Sequence, residues 1–232
     1  MKFTAPLIIA LCLAGITNTV TAKDVRDFEI RGVSAGDSGM ESCNKLSEQF
    51  PGEYELYDYL EIPRDRKLWS VRSRYDIRKN SSKNDKECTG SFTLYDQKTG
   101  KAVRADSINV KSHAKAVFYV NYTQSIHQGS SLAECNDSRQ ELITTLTGKY
   151  GEPTATPKKS SDSILMKWDY SAVQGRIGDE ELEIFAASLE CKMYDNETNL
   201  PMLKINLNFH SGDVIANTKN EINTDKSYKP SL

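Results

Sequence analysis

Gly39-Met40-Glu41-Ser42-Cys43-Asn44 is paralleled by Ser131-Leu132-Ala133-Glu134-Cys135-Asn136, and the fold prediction starts from these two stretches. Small polar residues of the kind that cap helices precede both copies. Other matching positions follow in the same order, namely Trp69 with Trp168, Cys88 with Cys191, and Tyr95-Asp96 with Tyr194-Asp195. The sequence therefore predicts an internal repeat of two units with the same design.

Each unit is predicted to begin with a helix and continue as strands. The helices are expected at about 39–50 and 132–148, and Gly148, Gly151 and Pro153 favour an end to the second one. In the first unit, apolar and charged residues alternate over 69–78, which is typical of a half-buried antiparallel strand. Further strands are expected at 54–62, 90–95, 101–110 and 115–122, and around Ile164–Tyr170, Leu182–Ala186 and Leu203–Phe209.

These patterns predict an α+β fold of two tandem units, each a helix packed on an antiparallel sheet with one disulfide. The first unit would cover residues 23–122 and the second residues 123–210. The segment 211–232 is rich in Asn, Thr, Lys, Asp and Ser and has few large apolar residues. That composition predicts a mobile polar tail.

The first 22 residues have the pattern of a signal peptide. Lys2 precedes the apolar run Leu7–Ile16, and Val20-Thr21-Ala22 offers the small residues of a cleavage site before Lys23. An uncleaved membrane anchor is the alternative, but the run falls short of the roughly 20 apolar residues that a span needs. We expect a periplasmic or secreted protein with no stable membrane anchor after cleavage. A lipoprotein signal has a small residue directly before its cysteine, and here Leu11 stands in that position.

Four cysteines remain after residue 22, namely Cys43, Cys88, Cys135 and Cys191. An even number in an exported chain predicts two disulfides, and number alone allows three pairings. The repeat selects Cys43–Cys88 and Cys135–Cys191, each joining a helix to its own sheet. A rival pairing across the units would instead produce interlocked units.

A helix followed by an antiparallel sheet, given twice in an exported protein, resembles the architecture of the beta-lactamase inhibitor proteins. It is also similar to the related fold of small lipoproteins of outer-membrane assembly. The phrases Leu146–Pro153 and Ile30-Arg31-Gly32-Val33 to Gly36 are similar to motifs of such bacterial envelope proteins. The disulfide spacing departs from that of the inhibitors, and the lipoprotein signal is missing. The resemblance implies a non-enzymatic envelope protein.

Several kinds of function find little support in the sequence. With 30 basic and 32 acidic residues the formal net charge is −2, which argues against a nucleic-acid partner. His113, His127 and His210 lack metal-ligand spacing, and none of the familiar nucleotide-binding or hydrolase motifs occurs, so no metal, cofactor or enzyme is predicted. The acidic run Glu180-Glu181-Leu182-Glu183 is interpreted as a solvated strand entry. Asn80, Asn121, Asn136 and Asn196 begin glycosylation sequons that matter only in a eukaryotic source.

A candidate binding surface lies in the first unit, where tyrosines and arginines alternate with apolar residues. Its members are Tyr57, Tyr59, Arg72, Arg74 and Arg78, expected on the strand faces opposite Trp69. Tyr and Arg dominate protein-binding hot spots, although a solvated sheet face with stacked side chains has the same composition. The sequence thus predicts a protein-binding module, such as an inhibitor or immunity protein for an exported enzyme or toxin. A structural or assembly factor of the envelope, or a hydrolase without a recognisable motif, are the alternatives.

Overall fold

The computed structural model describes residues 22–49, 68–79, 86–96, 102–127, 131–171, 181–193 and 200–217. The strands are β1 (Glu29–Ile30), β2 (Val33–Ser34), β3 (Leu68–Lys79), β4 (Lys86–Asp96), β5 (Ala102–His113), β6 (Ala116–His127), β7 (Lys158–Lys159), β8 (Ser163–Asp169), β9 (Glu183–Met193) and β10 (Pro201–Ser211). The α-helices are α1 (Gly39–Gln49) and α2 (Leu132–Tyr150), with a 3₁₀ turn at Val25–Asp27 and a helical segment at 212–217.

Eight of these strands form one antiparallel sheet in the order β3-β4-β5-β6-β10-β9-β8-β7, and β1 with β2 forms a separate hairpin. The prediction of two tandem helix-on-sheet units is wrong, because β6 and β10 pair from Tyr119–His210 to His127–Met202. β6 also runs through the predicted boundary at residue 122. Two separate half-sheets would each leave a row of unpaired backbone groups at this edge, and joining them satisfies both rows.

Both α-helices lie on the same face of the sheet. Cys88 of β4 lies beneath α1, and the strand register aligns it across β5, β6 and β10 with Phe185 of β9. Phe185 is on the same side of the sheet as Cys191, which lies beneath α2. Leu203, Ile205, Leu207 and Phe209 of β10 also face the helices and are buried. The alternation of apolar and polar residues along β10 therefore separates a covered face from one that no described helix covers.

Both predicted disulfides are present, with the predicted partners. Cys43 of α1 is bonded to Cys88 of β4, and Cys135 of α2 is bonded to Cys191 of β9. The Cα atoms are 5.9 and 6.0 Å apart, within the usual range. Disulfides of this kind are typical of proteins that fold in an oxidising compartment outside the cytoplasm.

The segment that precedes α1 completes the core between α2 and the sheet. Phe28 is fully buried, and its ring centroid lies 4.2 Å from that of Phe185 and 4.5 Å from that of Tyr150. Trp168 is next to the same group of rings and donates from Nε1 to the carbonyl oxygen of Gly151. The apolar residues of 22–35 therefore belong to the main core.

The described helix ends agree closely with the expected ones and have identifiable caps. Ser131 accepts from the amide of Glu134 at the start of α2, and Gly151 closes the helix with a positive φ of 81°, while its amide donates to the carbonyl oxygen of Thr147. Gly39 begins α1 where a Cβ atom would collide with Ser112 of β5. No helix in the described part of the chain is long and apolar enough to cross a membrane.

The segment after β10 differs from the expected tail. Ser211 is the last residue of β10, residues 212–217 are helical, and Val214 and Ile215 are buried. The prediction of a mobile tail therefore does not hold for residues 211–217. Residues 218–232 lie outside the described residues.

Candidate functional site

The sheet face opposite the helices, which we call the open face, is lined mainly by short polar side chains. Its centre consists of Ser107 and Asn109 of β5, Asn121 and Thr123 of β6, and Asn206 and Asn208 of β10. The register aligns Asn109, Asn121 and Asn208 across three neighbouring strands. All but the exposed Ser107 are half-buried.

Hydrogen bonds fix several of these side chains. Asn206 donates from Nδ2 to Thr123 Oγ1 at 3.3 Å, and Asn208 donates from Nδ2 to Asn206 Oδ1 at the same distance. Asn109 donates to Glu87 Oε1 at 3.0 Å. Short amide and hydroxyl side chains have little rotamer freedom to lose, and they bond to either donors or acceptors. The centre of the open face is thus a pre-ordered, uncharged surface with hydrogen-bonding capacity.

Cations outnumber carboxylates around this polar centre. At the described open-face register positions, the cations are Arg72, Arg74, Arg78, Lys111, Lys158, Lys167, Lys192 and Lys204, and the carboxylates are Asp76, Glu87, Asp169 and Glu190. Lys111 Nζ and Glu87 Oε1 form an ion pair on this face, 4.0 Å apart. The face is therefore positive on a chain whose net charge is −2.

An aromatic cluster adjoins the polar centre at one end of β6. Tyr119 lies opposite His210 of β10, with ring centroids 6.4 Å apart, and Lys111 Nζ lies 5.6 Å from the centroid of the Tyr119 ring. His210 Nδ1 is 3.0 Å from the carbonyl oxygen of Leu182, so this nitrogen is the donor. The open face thus offers tyrosine and cation contacts of the kind found in protein interfaces.

The predicted binding residues are placed only in part. Arg72, Arg74 and Arg78 are paired in register with Thr93, Ser91 and Glu87, which puts all three on the open face of the edge strand β3. Tyr57 and Tyr59 lie outside the described residues. The contribution of the tyrosines to the surface therefore stays a prediction.

A second polar group, the Asp106 cluster, lies on the helix-bearing face and comprises Arg31, Arg104, Asp106, Tyr122 and Gln124. The Asp106 side chain is only 1% exposed. It accepts from Arg31 Nη2 at 3.2 Å, from Arg104 Nε and Nη2 at 3.1 and 2.8 Å, from the Tyr122 hydroxyl at 3.1 Å and from Gln124 Nε2 at 3.2 and 3.3 Å. A buried carboxylate with this many donors is satisfied electrostatically.

The electrostatics of this cluster also affect the pKa of the Tyr122 hydroxyl. Burial raises the pKa of the Tyr122 hydroxyl above its ordinary range, and the nearby Asp106 carboxylate raises it further, because a second anion beside Asp106 would be unfavourable. The guanidinium of Arg31 lies over the Tyr122 ring, 5.1 Å from its centroid. Arg31 stands in the left-handed turn between β1 and β2, and its carbonyl oxygen accepts from Gln49 of α1. The cluster therefore ties the hairpin and α1 to the sheet.

Sequence reasoning missed this cluster, although one signal was readable. Asp106 shares its strand face with the apolar Ile108 and Val110, so the alternation placed a carboxylate among core residues. Arg31 could not be found in this way, because it is 75 residues from Asp106. The asparagine row of the open face was also missed, because each of its members looks like an ordinary solvated residue.

The described groups show little that resembles a catalytic centre. All four cysteines after residue 22 are in disulfides, which removes any thiolate nucleophile. Within the described ranges, no group of three His, Cys, Asp or Glu residues could hold a metal ion. Glu183, from the acidic run, is buried, and it accepts from Ser211 Oγ at 2.8 Å and from the amide of Asp213 at 2.6 Å. Burial raises its pKa, and its contacts indicate a cap for the segment 212–217.

Comparison of the chain with protein-family models, with curated proteins and with solved structures gives no match. The similarity to the beta-lactamase inhibitor proteins and to the assembly lipoproteins therefore stays a prediction.

Proposed function

We propose that this protein is an exported, non-enzymatic binding module that uses its open face to engage an acidic surface of a protein partner. The partner would be an exported enzyme or toxin, and the protein would act as its inhibitor or immunity protein in the periplasm or outside the cell. The observation that carries the proposal is the charge separation between a positive open face and a net acidic chain. Opposite charges on two partners steer their encounter and select against wrong partners.

The composition of the open face supports a protein as the partner. Hydrogen-bonding side chains in the centre, with arginine, lysine and tyrosine around them, match the mixture that protein-binding surfaces use. Nucleic acid fits less well, because its binders usually carry a strongly basic domain. The disulfides add rigidity, which lowers the ordering cost of binding.

Charge reversal tests the proposal. We expect Arg72→Glu with Arg74→Glu to slow association with the partner about tenfold or more at low salt, because these arginines lie at the positive edge of the face. The matched control reverses the exposed Lys45 and Lys115, which lie in α1 and in the turn between β5 and β6. Equal association rates for both double variants, measured by surface plasmon resonance, would contradict the proposed face.

The alternative functions make different predictions. An assembly factor of the envelope would co-sediment with membranes at every stage of growth, whatever the charge of the open face. A hydrolase would release product from a panel of envelope polymers at a rate proportional to protein concentration. The binding module we propose does neither.

A further inference from the structure

The contacts of residues 22–28 point to the place where the mature chain begins. The amide of Lys23 donates to Asp27 Oδ2 at 2.6 Å, and the amide of Asp24 donates to the same oxygen at 3.2 Å. Asp24 has a different role, because its Oδ1 accepts from the amide of Arg26. Asp27 is therefore already directed at the nitrogen that cleavage after Ala22 would free.

We infer that a signal peptidase hydrolyses the Ala22–Lys23 bond and that Asp27 holds the released Lys23 amine as an ion pair. This inference depends on the export that the proposed function assumes. Water adds across the peptide bond, leaving a carboxylate on Ala22 and an amine on Lys23. The amine is protonated at neutral pH, since the ordinary α-amino pKa is about 8. The existing hydrogen bond to the Asp27 carboxylate thereby gains a charged donor and becomes an ion pair.

Charges near this nitrogen favour the ammonium form. The carboxylates of Asp24 and Asp27 lie on the same short turn, and both also raise the pKa of the nearby Tyr170 hydroxyl, after burial as the first cause. Apart from the side chain of Lys23 itself, the nearby cation is Arg26, whose guanidinium lies 3.6 Å from the carboxylate of Asp213. A positive charge at Lys23 therefore meets a locally negative environment.

Ala22 itself determines when cleavage has to occur. Its side chain is buried, its amide donates to the carbonyl oxygen of Tyr150 at 3.0 Å, and its own carbonyl accepts from the Tyr170 hydroxyl at 2.9 Å. A peptidase needs this segment extended and accessible, so hydrolysis has to precede the folding of this segment, and Ala22 leaves with residues 1–21. Afterwards the burial of Phe28 and the Lys23–Asp27 pair hold the shortened segment in place.

The experiment begins with N-terminal sequencing of the exported protein, for which we expect Lys23 as the first residue. Asp27→Asn is then compared in two backgrounds, the processed chain and a chain that carries one extra Met before Lys23, which moves the amine away. We expect Asp27→Asn to lower the thermal midpoint by about 2–4 °C more in the processed chain. Asp24→Asn, the matched control, is expected to act equally in both.

Two results would overturn the inference, namely a first residue other than Lys23, or an equal effect of Asp27→Asn in both backgrounds. An uncleaved intracellular chain would remove the export on which both proposals depend. Binding through the open face is measured separately, and Asp27→Asn is expected to leave it unchanged. Failure of the ion pair can thus be distinguished from failure of the proposed function.

Discussion

At the scale of single residues, Asp106 joins parts of the chain that are distant in sequence. Its carboxylate accepts from the side chains of Arg31, Arg104, Tyr122 and Gln124. Asp106→Asn keeps the shape but leaves two guanidinium groups without their anion. We expect a loss of about 3 kcal/mol in the free energy of unfolding, the low end for a broken buried pair because both arginines keep some solvent.

Urea unfolding followed by fluorescence checks this value, with the exposed Asp137→Asn on α2 as the control. A loss below about 1 kcal/mol, the size expected for an exposed pair, would contradict the role given to Asp106.

The raised pKa of Glu183 leads to a prediction about how the stability of the fold depends on pH. Burial raises its pKa in the folded protein, so the folded state binds this proton more tightly than the unfolded chain. The Glu183 contribution therefore stabilises the fold at low pH and is lost as pH rises above the ordinary glutamate value of about 4.3. Glu183→Gln keeps an oxygen that can accept from Ser211 and from the amide of Asp213 but has no charge.

We expect the difference in unfolding free energy between Glu183→Gln and the wild type to move in favour of the variant from pH 4 to pH 7. Guanidinium unfolding at several pH values measures this difference, with Glu181→Gln as the exposed neighbour for comparison. A difference that is flat, or that moves the other way, would show that burial does not govern this carboxylate.

At the scale of elements, the disulfides fix each α-helix on the sheet. They close loops with sequence separations of 45 and 56 residues. By loop entropy, removing either pair of cysteines is expected to cost about 4 kcal/mol, since the unfolded chain then regains its freedom. Cys43→Ala with Cys88→Ala, and Cys135→Ala with Cys191→Ala, test this by thermal unfolding.

The control for these variants is the wild type in reducing agent, which is expected to lose at least as much stability as either pair alone. Unchanged thermal midpoints in both double variants would contradict the stabilising role of the disulfides.

The elements also show what the sequence could predict. Alternation located β3 and β10, and capping residues located α1 and α2, because these signals depend on neighbours in the chain. The pairing of β6 with β10 was not predictable in this way. It depends on backbone groups that every strand has, and side-chain patterns do not identify the partner strand.

At the scale of the whole molecule, the continuous sheet gives one extended open face that serves as a single binding surface. By strand register, Arg72, Arg74 and Arg78 occupy positions on that face, and their part in binding stays a prediction. The polar centre arises only when β5, β6 and β10 lie side by side, which aligns Asn109, Asn121 and Asn208. A candidate surface assembled across strands from both halves of the chain is invisible until their order is known.

Site-specific photo-crosslinking in living cells tests the binding function of the open face most directly. A photoreactive amino acid at the exposed Lys204 of β10 is predicted to capture an acidic protein partner, and the adduct is predicted to disappear with Arg72→Glu and Arg74→Glu. The same photoreactive amino acid at the exposed Glu141 of α2 is predicted not to capture this partner. An adduct formed from Glu141 and not from Lys204, or one that survives charge reversal, would contradict binding through the open face.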